Sequence, residues 1–94
     1  MTKPLKIGDA LRNLLRSLGI EKGLLEAQAA GVWSDVVGPE IDRVTQVVEV
    51  ERGVLRVAVK DSLWSQELSL MKADIISRLN ERVGQEVIRD IRFR

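Results

Sequence analysis

Residues 44–83 read VTQVVEVERGVLRVAVKDSLWSQELSLMKADIISRLNERV, and within them the spacing of apolar side chains changes twice. A period of two runs to Glu51, breaks at Arg52-Gly53 and resumes through Lys60; after Asp61-Ser62 it gives way to a helical period. The stretch predicts a β-hairpin feeding a crossover helix. A two-residue turn at Arg52-Gly53, with Gly53 taking a positive φ, sets Glu51 against Val54. Pairing then places Val50 opposite Leu55, Val48 opposite Val57 and Gln46 opposite Val59 on one face. Glu49 meets Arg56 and Thr45 meets Lys60 on the other. Asp61 or Ser62 can cap the helix, whose residues Trp64, Leu68, Met71, Ile75 and Leu79 recur at spacings of three and four. That stripe is the expected lid of the hairpin's apolar face.

Downstream, Gly84 stops the helix and residues 86–94, EVIRDIRFR, predict a last strand. Val87, Ile91 and Phe93 share one face, interrupted by Arg89, and Ile88, Asp90, Arg92 and Arg94 share the other. A right-handed crossover lays this strand parallel to residues 54–60, giving sheet order 1-2-3. Upstream, residues 5–18 form an amphipathic helix with Ile7, Leu11, Leu14, Leu15 and Leu18 on its apolar side, ended by Gly19. Such a basic helix suits a membrane surface or a partner, but its length and context favour packing on the domain's own core. A second helix over 21–37 carries Leu25, Ala29, Val32, Trp33, Val36 and Val37. Gly31 within it predicts close approach of another backbone, and Trp33 is expected as a core anchor. Gly38-Pro39 stops that helix and starts a short one through Ile41. The result is a single α+β domain over residues 1–94, of order α-α-β-β-α-β, with helices covering one face of a three-stranded mixed sheet.

A chain of 94 residues builds one core, burying roughly 60–65% of its unfolded surface. It has no Cys and no His, which removes disulfides, thiol chemistry and the usual zinc, copper and haem ligands. No apolar run approaches the ~20 residues of a membrane span, and no signal peptide is recognisable, so a soluble, cytoplasmic protein is expected. The formal net charge is +1, but it is unevenly spread. Residues 1–18 carry +3 and residues 87–94 carry +2, whereas residues 19–51 carry −5. Each charged run reads first as a solvated face; brought together, the basic ends would make a local patch.

Catalytic signatures are lacking: there is no P-loop, nucleophile elbow or G-x-G-x-x-G, and Glu67 and Asp74 are seven apart on a solvated helix face. Ser62 and Ser65 occupy cap and first-turn positions with no base to activate them. A binding role is favoured over an enzymatic one, with no cofactor or metal. Arg56 and Lys60 project from strand 2 on the face that strand 3 lines with Arg92 and Arg94, a cluster suited to phosphates. Glu49 can neutralise Arg56 and no aromatic residue is available for stacking, so binding there should be weak, backbone-directed and salt-sensitive. Spacing assigns Trp64 to the buried stripe, while its first-turn position leaves an indole edge on which a partner can anchor.

Taken in order, Val32-Trp33 with Val36-Val37-Gly38, Gly53-Val54-Leu55-x-Val57, Ser62-Leu63-Trp64 with Glu67-Leu68, Leu79-Asn80, Gly84 and Ile91-Arg92-Phe93 resemble the bacterial DciA family. The family was long a domain of unknown function and is now associated with loading or operating the replicative helicase. The resemblance covers almost the whole chain and implies a pseudo-KH fold, similar to the type II KH order. Consistent with a pseudo-KH domain, the G-x-x-G clamp of true KH domains is missing. It further implies a helicase-facing anchor at Trp64, with Leu63 and Glu67 on the same turn, and DNA contact through Arg56, Lys60, Arg92 and Arg94. The resemblance also implies a long basic extension in many members, whereas this sequence ends at Arg94 in the last strand. The expected function is that of a non-enzymatic replication accessory that binds the replicative helicase and weakly contacts DNA. The alternatives are a KH-like RNA- or DNA-binding module without a helicase role, and a self-association domain using the edge of strand 1.

Overall fold

The structure is a computed structural model and describes residues 7–94; the expected helix start at Leu5 and Lys6 lies outside them. Among the described residues the elements are α1 (Ile7–Ser17), α2 (Glu21–Gly31), α3 (Trp33–Val37), α4 (Pro39–Asp42), β1 (Thr45–Glu51) and β2 (Val54–Val59), followed by α5 (Ser62–Leu70), α6 (Lys72–Val83) and β3 (Asp90–Phe93). The sheet order is β1-β2-β3, with β1 antiparallel and β3 parallel to β2. This is the expected mixed α+β sheet and is compatible with a KH-like fold.

The hairpin turns as its residues dictate. Arg52 and Gly53 both have positive φ, 52° and 79°, as a type I′ turn requires, and Glu51 faces Val54. Val50 opposite Leu55 and Glu49 opposite Arg56 follow in the predicted register. Beyond them the register departs from the expected one. A bulge at Val48 sets Val47, not Val48, opposite Val57, and moves Gln46 opposite Ala58 and Thr45 opposite Val59. Val48 and Glu49 both face solvent as a result, while Thr45, Val47 and Val50 are partly buried. The Trp33 indole explains the preference: its Nε1 donates to Thr45 Oγ1 at 3.0 Å, and that hydroxyl donates to the Ile41 carbonyl at 2.8 Å. An unbulged strand would turn Thr45 outward and leave a buried indole N–H unpaired.

The core lies between the helices and one sheet face. Leu55, Val57, Leu68, Leu79 and Ile91 are fully enclosed, each leucine or isoleucine contributing about 1.5–3 kcal/mol. Trp33 is buried, as expected, and tilts against Phe93 with ring centroids 6.4 Å apart. Two expected helices are broken. Residues 21–37 divide at Val32, and Gly31 ends α2 with nothing within 4 Å of a notional Cβ, so among the described residues no other backbone approaches it. Residues 62–83 divide at Met71, whose N–H bonds to Leu68 instead of Glu67. Ser69 Oγ donates back to the Ser65 carbonyl at 2.9 Å, a bond that bends helices. The break leaves Met71 39% exposed, short of its expected place in the stripe.

The close backbone approach belongs to Gly53. A Cβ there would lie 3.0 Å from the Val87 carbonyl oxygen. The Gly53 N–H donates to the Glu26 carboxylate at 2.7 Å, and its carbonyl accepts the Arg89 N–H at 2.8 Å. Asn80 holds the same segment from α6. Its Oδ1 accepts Val87 N–H at 2.9 Å and Ile88 N–H at 2.8 Å, and its amide donates to the Ile88 carbonyl at 2.9 Å. These bonds take residues 86–89 out of the sheet and shorten the predicted last strand to Asp90–Phe93. Ile88, expected on the open face, is buried in the core instead.

α1 also departs from expectation. It packs against α2, not across the core, and leaves Leu11, Leu14 and Leu18 more than half exposed. Arg16 and Arg12 reach Glu21 at 3.0 and 3.9 Å and tie the two helices together.

Candidate binding surfaces

The parallel register of β2 and β3 makes Arg56 and Arg92 direct neighbours on the sheet face away from the helices, their backbones ~4.8 Å apart. The ladder continues past β3: Arg94 N–H bonds to the Val57 carbonyl and Val59 N–H to the Arg94 carbonyl. Alternation then puts Arg94 on the same face, while Lys60 lies just past the end of β2, its N–H bonded to the Val44 carbonyl. The structure thus gathers Arg56, Arg92 and Arg94, and leaves Lys60 exposed in the bend that follows β2. Two carboxylates share this surface. Glu49 pairs with Arg56 at 2.8 Å, and Asp90 lies 3.8 Å from Arg92 and 3.3 Å from Lys72. Burial opposes ionisation of Asp90, but the Lys72 hydrogen bond, the Ile91 N–H and the Lys72 and Arg92 charges outweigh it and hold this carboxyl below its ordinary range. Lys60 and Arg94 have no ion-pair partner among the described residues. The Glu49–Arg56 pair is solvent-exposed, worth about 0–1 kcal/mol, so a phosphate can displace it at little cost.

The second surface is α5. Asp61 caps it, its Oδ1 accepting the Trp64 N–H at 2.8 Å. Trp64 is half-buried against the core, which separates it from its two sequence-predicted companions. Leu63 is 71% exposed and Glu67 also faces solvent. One further turn on, Leu70 is 84% exposed, and positions 63, 67 and 70 stack on one outward stripe. Leu70 was not foreseen as a site residue. Its i, i+4, i+7 spacing from Leu63 carried the signal, hidden because the stripe of Trp64, Leu68 and Ile75 explained the helix on its own.

Among the described residues no group of three His, Cys, Asp or Glu side chains is placed to hold a metal ion. No helix there is long and apolar enough to cross a membrane.

The family model described as "Dna[CI] antecedent, DciA" matches residues 6–93. A "UPF0232 protein" of Mycobacterium tuberculosis strain H37Rv is 29% identical over 90 residues, covering 96% of this chain and 48% of the relative. Those of Mycobacterium ulcerans and Mycobacterium leprae are 26% and 25% identical over the same length, again covering 96% of this chain and 48% of each relative. The chain therefore spans about half the length of these curated relatives. The family-like positions have physical roles in the structure: Trp33 in the core, Gly53 at the turn, Asn80 on the 87–88 backbone, Gly84 closing α6. With the family model spanning nearly all of it, the chain belongs to the DciA family.

Proposed function

We propose that the domain is a non-enzymatic DNA-replication accessory that binds the replicative helicase through the outer face of α5 and touches DNA weakly through Arg56, Lys60, Arg92 and Arg94. Membership of the DciA family supports the replication role. The observation that carries the partner surface is the exposed Leu63, Glu67 and Leu70 stripe, with Trp64 wedged behind it against the core. Apolar side chains largely presented to water around one charge suit a protein contact of modest size. Trp64 supports the turn from behind and offers its free edge.

Biolayer binding to the replicative helicase of the source organism tests this with wild type, Trp64→Ala and Leu63→Ser in parallel. Loss of binding by folded variants is the expected result; full retention by both removes α5 from the interface.

The adjacency of Arg56 and Arg92 favours one second reading, a KH-like nucleic-acid module without a helicase role. It predicts steep salt dependence, sensitivity to Arg92→Glu, and indifference to Leu63→Ser.

A further inference from the structure

Two hollows meet where α1, α2 and the hairpin tip converge, away from both surfaces above. One, of about 380 Å³, lies between the start of α2, the Arg52-Gly53 turn and residues 85–89, and is lined by Lys22, Arg52 and Arg89. The other, of about 190 Å³, lies between α1 and α2 and is lined by Leu11, Leu15 and Leu24. Glu21 and Leu25 line both, so the hollows form one groove with a cationic end and an aliphatic end.

The charges there are unbalanced. Glu21 is already engaged by Arg16 and Arg12, which hold its carboxyl below its ordinary range through the Arg16 hydrogen bond first. Glu26 is committed to the Gly53 N–H, leaving Glu86 as the remaining carboxylate on the lining. Lys22, Arg52 and Arg89 have no ion-pair partner among the described residues. Arg89 lines the cationic end and donates its Nε to the Arg52 carbonyl at 2.8 Å, which leaves the terminal nitrogens to bond elsewhere. At the other end Leu11 and Leu24 are 52% and 42% exposed.

We propose that this groove binds a short acidic peptide segment of a partner protein, with carboxylates on Lys22, Arg52 and Arg89 and apolar side chains on Leu11, Leu15 and Leu24. Charge complementarity selects the acidic character, since among the described residues three cations without ion-pair partners face one carboxylate that has none. The aliphatic end selects peptide over nucleic acid. A phosphodiester chain would satisfy the cations but offers nothing to cover the leucines, and no aromatic side chain lines the groove to stack a base. The groove does not depend on the helicase reading.

The test uses the 94-residue protein. A fluorescein-labelled peptide of about 14 residues repeating Glu-Leu-Leu-Glu is titrated by anisotropy, beside its Lys-for-Glu counterpart and an oligothymidylate of similar length. The acidic peptide should bind and the basic one should not. Lys22→Glu and Leu11→Ser, both at solvent-facing positions, should each weaken binding by about tenfold. Amide chemical-shift changes should cluster at residues 11–28, 52 and 85–89. The proposal is overturned by no binding of the acidic peptide, equal binding of both peptides, shift changes confined to α5 or the open sheet face, or oligothymidylate binding lost with Lys22→Glu but not with Leu11→Ser. Shifts at residues 11–24 that depend on protein concentration without peptide would assign the groove to a second copy and also overturn it.

Discussion

The Glu26 carboxylate and the Gly53 N–H, 27 residues apart in the chain, meet at 2.7 Å in the protein interior. The bond pins the hairpin tip to α2, and residues 87–90 are then built on the other side of the same turn through the Gly53 carbonyl. A buried carboxylate is expensive unless its partner is equally in need of it; here the partner is a main-chain donor at a two-residue turn that no strand can satisfy.

Replacing Glu26 by Ala strands that donor and should cost about 1–3 kcal/mol in urea unfolding. Glu26→Gln keeps an acceptor oxygen and should lose less. Equal losses in the two variants would show that the bond itself is not the source.

Asn80→Ala removes three hydrogen bonds to Val87 and Ile88 at once. Stability should fall by about 2–3 kcal/mol, with hydrogen exchange at these two amides accelerating beyond the global effect. Asn80→Asp keeps both acceptor bonds and should fall between Ala and wild type.

Two glycines should respond in opposite directions. Gly53 combines φ 79° with a Val87 oxygen 3.0 Å from any added Cβ, so Gly53→Ala should destabilise by more than about 1 kcal/mol. Gly31 closes α2 with open space around it, and Gly31→Ala should be neutral or stabilise by up to about 1 kcal/mol. Thermal melts of the two variants give the answer directly.

Asp90 sets a pH dependence. Its folded carboxyl lies below the ordinary value of 3.8, so its contribution is complete above that value and is lost as pH falls through the lower folded one. The stability gap between wild type and Asp90→Asn should be flat from about pH 7 to about pH 5 and should narrow as pH falls below the ordinary carboxylate value. A gap that widens on acidification would contradict the Lys72 pairing.

The elements with strong local periodicity were legible in the sequence. The hairpin turn, the parallel last strand and the buried Trp33 all follow from spacing, because each is fixed by residues within a few positions or by handedness. What was illegible depends on contacts between distant segments. The Val48 bulge answers to Trp33 and Thr45, and the shortened β3 answers to Asn80 and Gly53. Glu26 looked like any surface acid on a helix, since nothing near it in sequence announces the turn it meets. The sheet-face arginines were foreseen because strand parity places them. Leu70 and the α1 leucines were not, because an apolar residue in an amphipathic helix reads as core until the helix is seen to lean outward.

The parallel pairing of β3 with β2 also dictates an order of events at the ribosome. Ile91 is fully enclosed and Phe93 packs against Trp33, so the interior stays open on one side until residues 90–93 have left the exit tunnel. Until then β2 has a naked edge and Leu55 and Val57 lack their neighbours. The helices and the hairpin, built from local contacts, can form as soon as they emerge; closure of the domain waits on the four residues of the last strand.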